Sequence, residues 1–307
     1  MNELLSVNLP IFILIAIGYA AAHFRLMDQK AGEGISDYVF FIATPTLVLK
    51  TMAAAKFLDA QPWGYWGAYF IGVACVWALA MWLDMRLHAK SYPESVIAGF
   101  SAGQSNTVLV GIPVIIKAFG DAGAVPLFLL IAVHLPINLT AATFLLEGRK
   151  GLHWMQIGKQ IAIHPMTLAL VLGLTLRAID MPPSGPTKTV IDFLADTTIP
   201  CALVAMGIAL HHYGVKTPLV QIGPVIALKL VAHPAIVYLL AFHVFDMPKV
   251  WAGVAVLFAA MPTGINAFLF AARYRTGEAL ASSAIALSTA LALLSTFFWL
   301  WMLGLSG

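Results

Sequence analysis

The sequence predicts an all-α polytopic membrane protein, with ten transmembrane helices in two inverted repeats of five and the fourth and ninth helices broken. Three observations predict it. The chain of 307 residues is 61% hydrophobic and 10% charged, whereas a soluble domain has roughly a quarter of its residues charged. Lipid must solvate much of that apolar surface. Ten apolar runs follow one another, each near the roughly 20 residues that a helix needs to cross a bilayer. The two halves also carry matching motifs at matching places.

The runs fall at about 4–24, 35–53, 63–83, 95–117, 122–146, 157–178, 188–210, 218–244, 250–272 and 280–304. The first has no basic stretch before it, so it reads as a span and not as a cleaved signal peptide. The second contains Asp37 and Pro45. The third is uninterrupted. The fourth holds "NTVLVGIP", Asn106 to Pro113. The fifth carries His134 and Asn138 and ends at Glu147, Gly148 and Arg149. The sixth contains His164-Pro165, and the seventh contains Asp192, Asp196 and Pro200. The eighth includes Lys229 and His233-Pro234. The ninth holds "MPTGIN", and the tenth is rich in Ser and Ala, which suits close packing. Connections are short, which leaves little room for a soluble domain. A barrel would instead show short alternating segments.

The halves, residues 1–150 and 151–307, can be laid side by side. "DYVFFIATP" from Asp37 to Pro45 matches "DFLADTTIP" from Asp192 to Pro200 in the second and seventh runs. "GFSAGQSN" from Gly99 matches "LFAAMPTG" from Leu257 in the fourth and ninth. Five spans per repeat turn the second copy over in the membrane, the inverted plan of many secondary transporters.

Helix breakers in the fourth and ninth runs need a reason. Pro113 removes a donor and crowds the carbonyl near Leu109, and Gly111 eases unwinding there. Pro262 and Gly264 do the same in the ninth run. Non-helical backbone at membrane depth survives only inside protein or against a wet cavity. Paired breaks in equivalent spans therefore point to a midplane binding site. Each break frees helix N-terminal N–H groups, which suit an anion. Gln104, Ser105, Asn106, Thr107, Thr263 and Asn266 add side-chain donors and acceptors. The plainer alternative is a kink of the kind common in membrane helices.

Orientation follows from Lys and Arg in the connections. With the N-terminus outside, inner connections carry Arg25, Lys30, Arg86, Lys90, Arg149, Lys150, Lys159, Lys216, Arg273 and Arg275. The outer side carries Lys50, Lys56, Lys117, Arg177, Lys188 and Lys249. Ten against six places both termini outside.

Other polar residues have two readings each. Lys229 inside a span suggests coupling or gating, or else it snorkels or pairs with an Asp. His164 and His233 precede prolines and either titrate or serve as hydrogen-bonded structural groups. Asp37, Asp192 and Asp196 are candidate coupling groups, with helix N-capping as the simpler account. His134 and Asn138, one turn apart, face the cavity or join helices. Cys75 and Cys201 read as packing residues. His211 and His212 are adjacent and make a poor metal pair. No phosphate loop or catalytic grouping emerges, so the expectation is a protein that is not an enzyme and holds no metal or other cofactor. The net charge of +3 gives no sign of nucleic acid as a partner.

"NTVLVGIPVIIKAFG", "LADTTIPCALVAMGIAL", "LKLVAHP" and "MPTGINAFLFAARY" resemble the auxin efflux carrier family, which includes plant auxin exporters and bacterial malonate-transporter-like proteins. The resemblance spans nearly the whole chain. It implies ten helices in two inverted repeats with crossing fourth and ninth helices, a fold like that of bile-acid sodium symporters. It places Asn106 and Pro113 at one crossing and Pro262 at the other, and it implies a homodimer in the cell (inner) membrane. The plant members' large central loop is replaced here by the short "EGRKGLHWMQIGK", as in bacterial forms. The expectation is an alternating-access carrier of small mono- or dicarboxylates, malonate-like or auxin-like. Coupling to H+ or Na+ is the alternative. A channel or a receptor ranks behind both, because no continuous polar stripe or charged ring is present.

Overall fold

A computed structural model describes residues 2–54, 63–148, 159 and 162–305. Lys56, Arg149 and Lys150, three of the charges used for orientation, lie outside the described residues. Within them the chain is helical, and the one pairing of extended backbone is a bridge between Ser105 and Thr263.

In chain order the helices are α1 (Asn2–His23), α2 (Gln29–Tyr38), α3 (Thr44–Ala54), α4 (Trp63–Leu87), α5 (Tyr92–Gly103), α6 (Ile112–Phe119), α7 (Asp121–Glu147) and α8 (Pro165–Ala178). They continue with α9 (Gly185–Asp196), α10 (Thr198–His212), α11 (Leu219–Ala227), α12 (His233–Leu239), α13 (Lys249–Ala260), α14 (Asn266–Tyr274) and α15 (Glu278–Met302). Five stretches are long and apolar enough to cross a membrane: Trp63–Leu87, Asp121–Glu147, Gly185–His212, Leu219–Val244 and Glu278–Met302. Four shorter apolar helices, Leu9–His23, Thr107–Phe119, Pro165–Ala178 and Lys249–Ala260, accompany them. Large apolar side chains such as Ile13, Ile17, Leu172 and Leu294 face outward. An apolar exterior over an apolar interior is the pattern of a multi-pass membrane protein.

Start signals are local. Asp28 caps α2 by accepting the Ala31 N–H at 2.8 Å. Ser91 and Glu94 form a reciprocal capping box at the start of α5.

Prolines shape the spans in a consistent way. Wide π-turns at Val39–Ala43, Thr107–Gly111 and Leu228–Ala232 each end two residues before a proline, namely Pro45, Pro113 and Pro234. A proline ring clashes with the carbonyl four residues earlier, and the wider turn moves that carbonyl aside. The carbonyl four residues before Pro234 belongs to Leu230. It accepts hydrogen bonds from Ser295 Oγ at 2.9 Å and Trp299 Nε1 at 3.0 Å, both on α15.

The two halves exchange partners. Helix α1 lies along α10, and α8 lies along α3. The first contact is backbone against backbone. A Cβ on Gly18 would fall 2.1 Å from the Val204 carbonyl oxygen, and one on Gly207 would fall 2.0 Å from that of Ile15. Small residues allow this approach, which replaces the hydrophobic drive that is missing in lipid.

The reading of Asp192 and Asp196 as N-caps is overturned. Both lie in the C-terminal half of α9. Lys50 of α3 sits 2.8 Å from Asp192 and 3.4 Å from Asp196, and Lys188 adds a second cation to Asp192. Opposite charge across two helices decides these positions, not orphan N–H groups. Asp37 is no N-cap either, because it lies one residue before the end of α2, which Asp28 caps. Cys75 and Cys201 are free thiols.

Candidate functional site

The two broken spans cross at their breaks. Helix α5 ends at Gly103, and α13 ends at Ala260. The peptides that follow run past each other antiparallel. The Asn106 N–H donates to the Pro262 carbonyl at 2.7 Å, and the Gly264 N–H donates to the Gln104 carbonyl at 3.1 Å. Each break thereby satisfies part of the other's backbone, which is buried away from water. The approach requires glycine at 264, where a Cβ would lie 2.9 Å from the Ser105 carbonyl oxygen.

The first break falls earlier than the breakers suggest. Gly111 and Pro113 are not in the non-helical peptide. Gly111 closes the π-turn, Pro113 sits in the first turn of α6, and the extended residues are Gln104 to Asn106. The π-turn absorbs the proline, and pairing with the second break holds the unwound peptide seven residues upstream. At the second break, Pro262 and Gly264 lie in the unwound peptide itself.

The polar residues beside the breaks divide by role. Asn106 is buried. Its Oδ1 accepts the Leu109 N–H at 3.3 Å, and its Nδ2 donates to Met206 Sδ at 3.1 Å. Thr263 donates its N–H to Ser288 Oγ and its hydroxyl to the Ser101 carbonyl, both at 2.9 Å. Gln104 Oε1 accepts from Asn138 Nδ2 at 3.0 Å. Ser105 Oγ accepts from Lys229 Nζ at 2.7 Å. The Thr107 hydroxyl and the half-exposed Asn266 amide have no side-chain partner among the described residues. Among the described residues the side chains left without a partner at the crossing are therefore Thr107, Asn266 and the Ser101 hydroxyl, while the opening N–H groups of Leu109, Ala267, Phe268 and Leu269 are already held by Asn106, Gly264 and Ile265.

A buried polar cluster backs the crossing. Lys229 neither snorkels nor pairs with an Asp. It is fully buried, and its Nζ also reaches the Ala259 carbonyl at 2.7 Å and His233 Nδ1 at 3.3 Å. His134 Nδ1 lies 2.8 Å from Tyr69 Oη and 3.4 Å from Asn138 Nδ2. His134 and Asn138 thus join α7 to α4 and to the first break. Sequence reading missed Tyr69, Ser101, Met206 and Ser288. Tyr69 and Met206 look like ordinary apolar-span residues, and only the Ser content of the tenth span gave a signal.

A cavity of about 330 Å³ opens between α2, α10 and the second break, with Glu33, Asp37, His212, Tyr213, Ile265 and Leu269 among its walls. Ile265 and Leu269 are its walls on the side of the second break. It brings in Asp37 but neither Asp192 nor Asp196, which pair with Lys50 on another face.

The family described as membrane transport protein matches this chain twice, over residues 5–153 and again over 152–300. A protein named "Putative malonate transporter" from Rhizobium meliloti (strain 1021) is 27% identical over 299 residues, covering 95% of this chain and 93% of that protein. An uncharacterized transporter from Methanothermobacter thermautotrophicus is 24% identical over 307 residues, covering 95% of each.

Proposed function

The chain belongs to the membrane transport protein family, the auxin-efflux-carrier-like group that its motifs resemble, and on that premise we propose that it is a secondary carrier of small organic anions. Ten spans in two inverted repeats, residues 1–150 and 151–307, would carry mono- or dicarboxylates by alternating access, with both termini outside the cell membrane and two copies forming a homodimer. The observation that carries this reading is the Ser105–Thr263 bridge between two broken spans. It sets two half-helix N-termini and the free Thr107 and Asn266 groups around one point, a suitable arrangement for a carboxylate. Malonate is the first substrate to test, because a similar protein bears that name.

Among the described residues the crossing carries no carboxylate of its own, so the anion's charge alone couples it to the membrane potential. A second reading couples the anion to H+ or Na+. Glu33 and Asp37 in the cavity wall favour it.

The test is a thermal-shift screen of carboxylates on the purified protein, followed by counterflow of the stabilising anion in proteoliposomes. Stabilisation by a small carboxylate and exchange-stimulated uptake are expected. A flux that exchange does not stimulate would favour a channel, and the absence of any stabilising carboxylate would remove the anion reading.

A further inference from the structure

Lys229 is a fully buried basic residue that the carrier reading leaves without a task. It projects from the π-turn Leu228–Ala232 in the eighth span. Its Nζ has three partners, each on a different segment: Ser105 Oγ in the first break at 2.7 Å, the Ala259 carbonyl at 2.7 Å, and His233 Nδ1 one turn along at 3.3 Å. An ammonium uses all three donors in this way when Nδ1 is the unprotonated ring nitrogen. Ala259 lies in the last turn of α13, just before the second break. Its carbonyl belongs to the negative end of a half-helix, where no intrahelical N–H remains to satisfy it. The titratable side chains packed around are His233, His134 and Tyr69, and no carboxylate bonds Lys229 among the described residues.

A hydroxyl and a helix-end carbonyl drawn from two broken helices are the ligands that a carrier offers to a coupling cation. Here a side chain already holds that place. We propose that Lys229 is a tethered coupling cation: its ammonium sits between the two broken spans where a dissolved Na+ would sit in a cation-coupled carrier, so that anion binding at the crossing needs no added metal cation. This rests on the anion-carrier reading. It adds that the positive charge stabilising the crossing travels with the protein and is never released.

The test uses the purified full-length protein with malonate as probe, titrated in choline chloride and in NaCl at equal ionic strength. The wild type should bind malonate equally in both media. Lys229→Ala should bind at least about tenfold more weakly in choline, the loss of a charge-assisted contact, and added Na+ or methylammonium should restore part of that loss by entering the vacated place. A wild type that needs Na+ overturns the proposal and leaves the anion reading standing. Lys229→Ala binding like wild type in choline overturns it too. So does a weakening that no cation relieves, which marks a packing defect. Should Lys229→Ala fail to fold, Lys229→Gln takes its place, and the wild-type comparison decides on its own. If no carboxylate binds in either medium, the anion reading falls and this inference falls with it.

Discussion

Asn106 donates its backbone N–H to the carbonyl of Pro262 at 2.7 Å, so the amide of one broken span is held by the proline that breaks the other. The side chains on either side of this bond are free to differ in purpose, and they do. Asn106 caps the turn that follows it, while Asn266 opens α14 with its amide half exposed.

Asn266→Ala is therefore the cleaner test of substrate recognition. Losing one hydrogen bond to a charged ligand costs about 1.5–3 kcal/mol, roughly ten- to a hundred-fold in affinity. The thermal midpoint without ligand should barely move. Asn106→Ala should weaken binding as well, and it should also lower stability by about 0.5–2 kcal/mol through the lost cap. Titration and thermal unfolding of both variants check this. Unchanged affinity in both would sink the site.

Gly207→Ala should destabilise the protein without touching the crossing. Its Cβ would lie 2.0 Å from the Ile15 carbonyl oxygen, so α1 must move away from α10. Overpacking of this kind costs about 1–3 kcal/mol. Thermal unfolding in detergent should show a lower midpoint. A midpoint equal to wild type would mean that the two helices are not in backbone contact.

Topology can be read with single cysteines after Cys75 and Cys201 are changed to Ala. Ala89 lies in the exposed turn between α4 and α5, and Met181 follows α8 at the other predicted side. Ala89→Cys should resist an impermeant thiol reagent in intact cells, and Met181→Cys should react. The reverse pattern would put both termini in the cytoplasm.

Energetics follow from a crossing that holds no carboxylate among the described residues. One elementary charge moving through 100 mV gains about 2.3 kcal/mol, enough for roughly a fifty-fold gradient, and an inside-negative potential drives an anion outward. Proteoliposomes with an imposed potassium diffusion potential, and no pH or sodium gradient, should show anion flux that reverses with the potential. Flux indifferent to the potential but driven by a pH or sodium gradient would replace the uniporter with a symporter.

Much of the arrangement was legible in the sequence, because bilayer thickness and the cost of unpaired backbone leave few choices. Apolar runs located the long spans, and paired Pro, Gly and Asn clusters marked the two segments that break, with the second break at its Pro262 and Gly264. What stayed hidden depends on contacts between segments far apart in the chain. The first break sits at Gln104–Asn106 because the second break pairs with it there, and a π-turn spares Pro113 from ending the helix. Nothing near Lys229 in sequence announces that its partners are a serine and a carbonyl from other spans. Asp192 and Asp196 looked like caps because Lys50, which claims both, lies in the other half.

The side chains that satisfy the crossing have a mechanical consequence. Gln104 is tied to Asn138 of α7, and Thr263 to Ser288 of α15. The same α15 holds the Leu230 carbonyl released by Pro234, and Lys229 ties the eighth span to both breaks. Pulling any one of these segments away would strand polar atoms in hydrocarbon, at several kcal/mol for each unsatisfied group. The two breaks, α7, the π-turn that carries Lys229 and α15 are thus geared together as one block. Helices α1 and α10 are locked to each other by the glycine contact, and α10 is tied to the crossing as well, through Asn106 Nδ2 and Met206 Sδ at 3.1 Å. Any sliding of this block along the α1–α10 pair would have to release that contact first, which makes the soft thioether of Met206 the latch between the two parts.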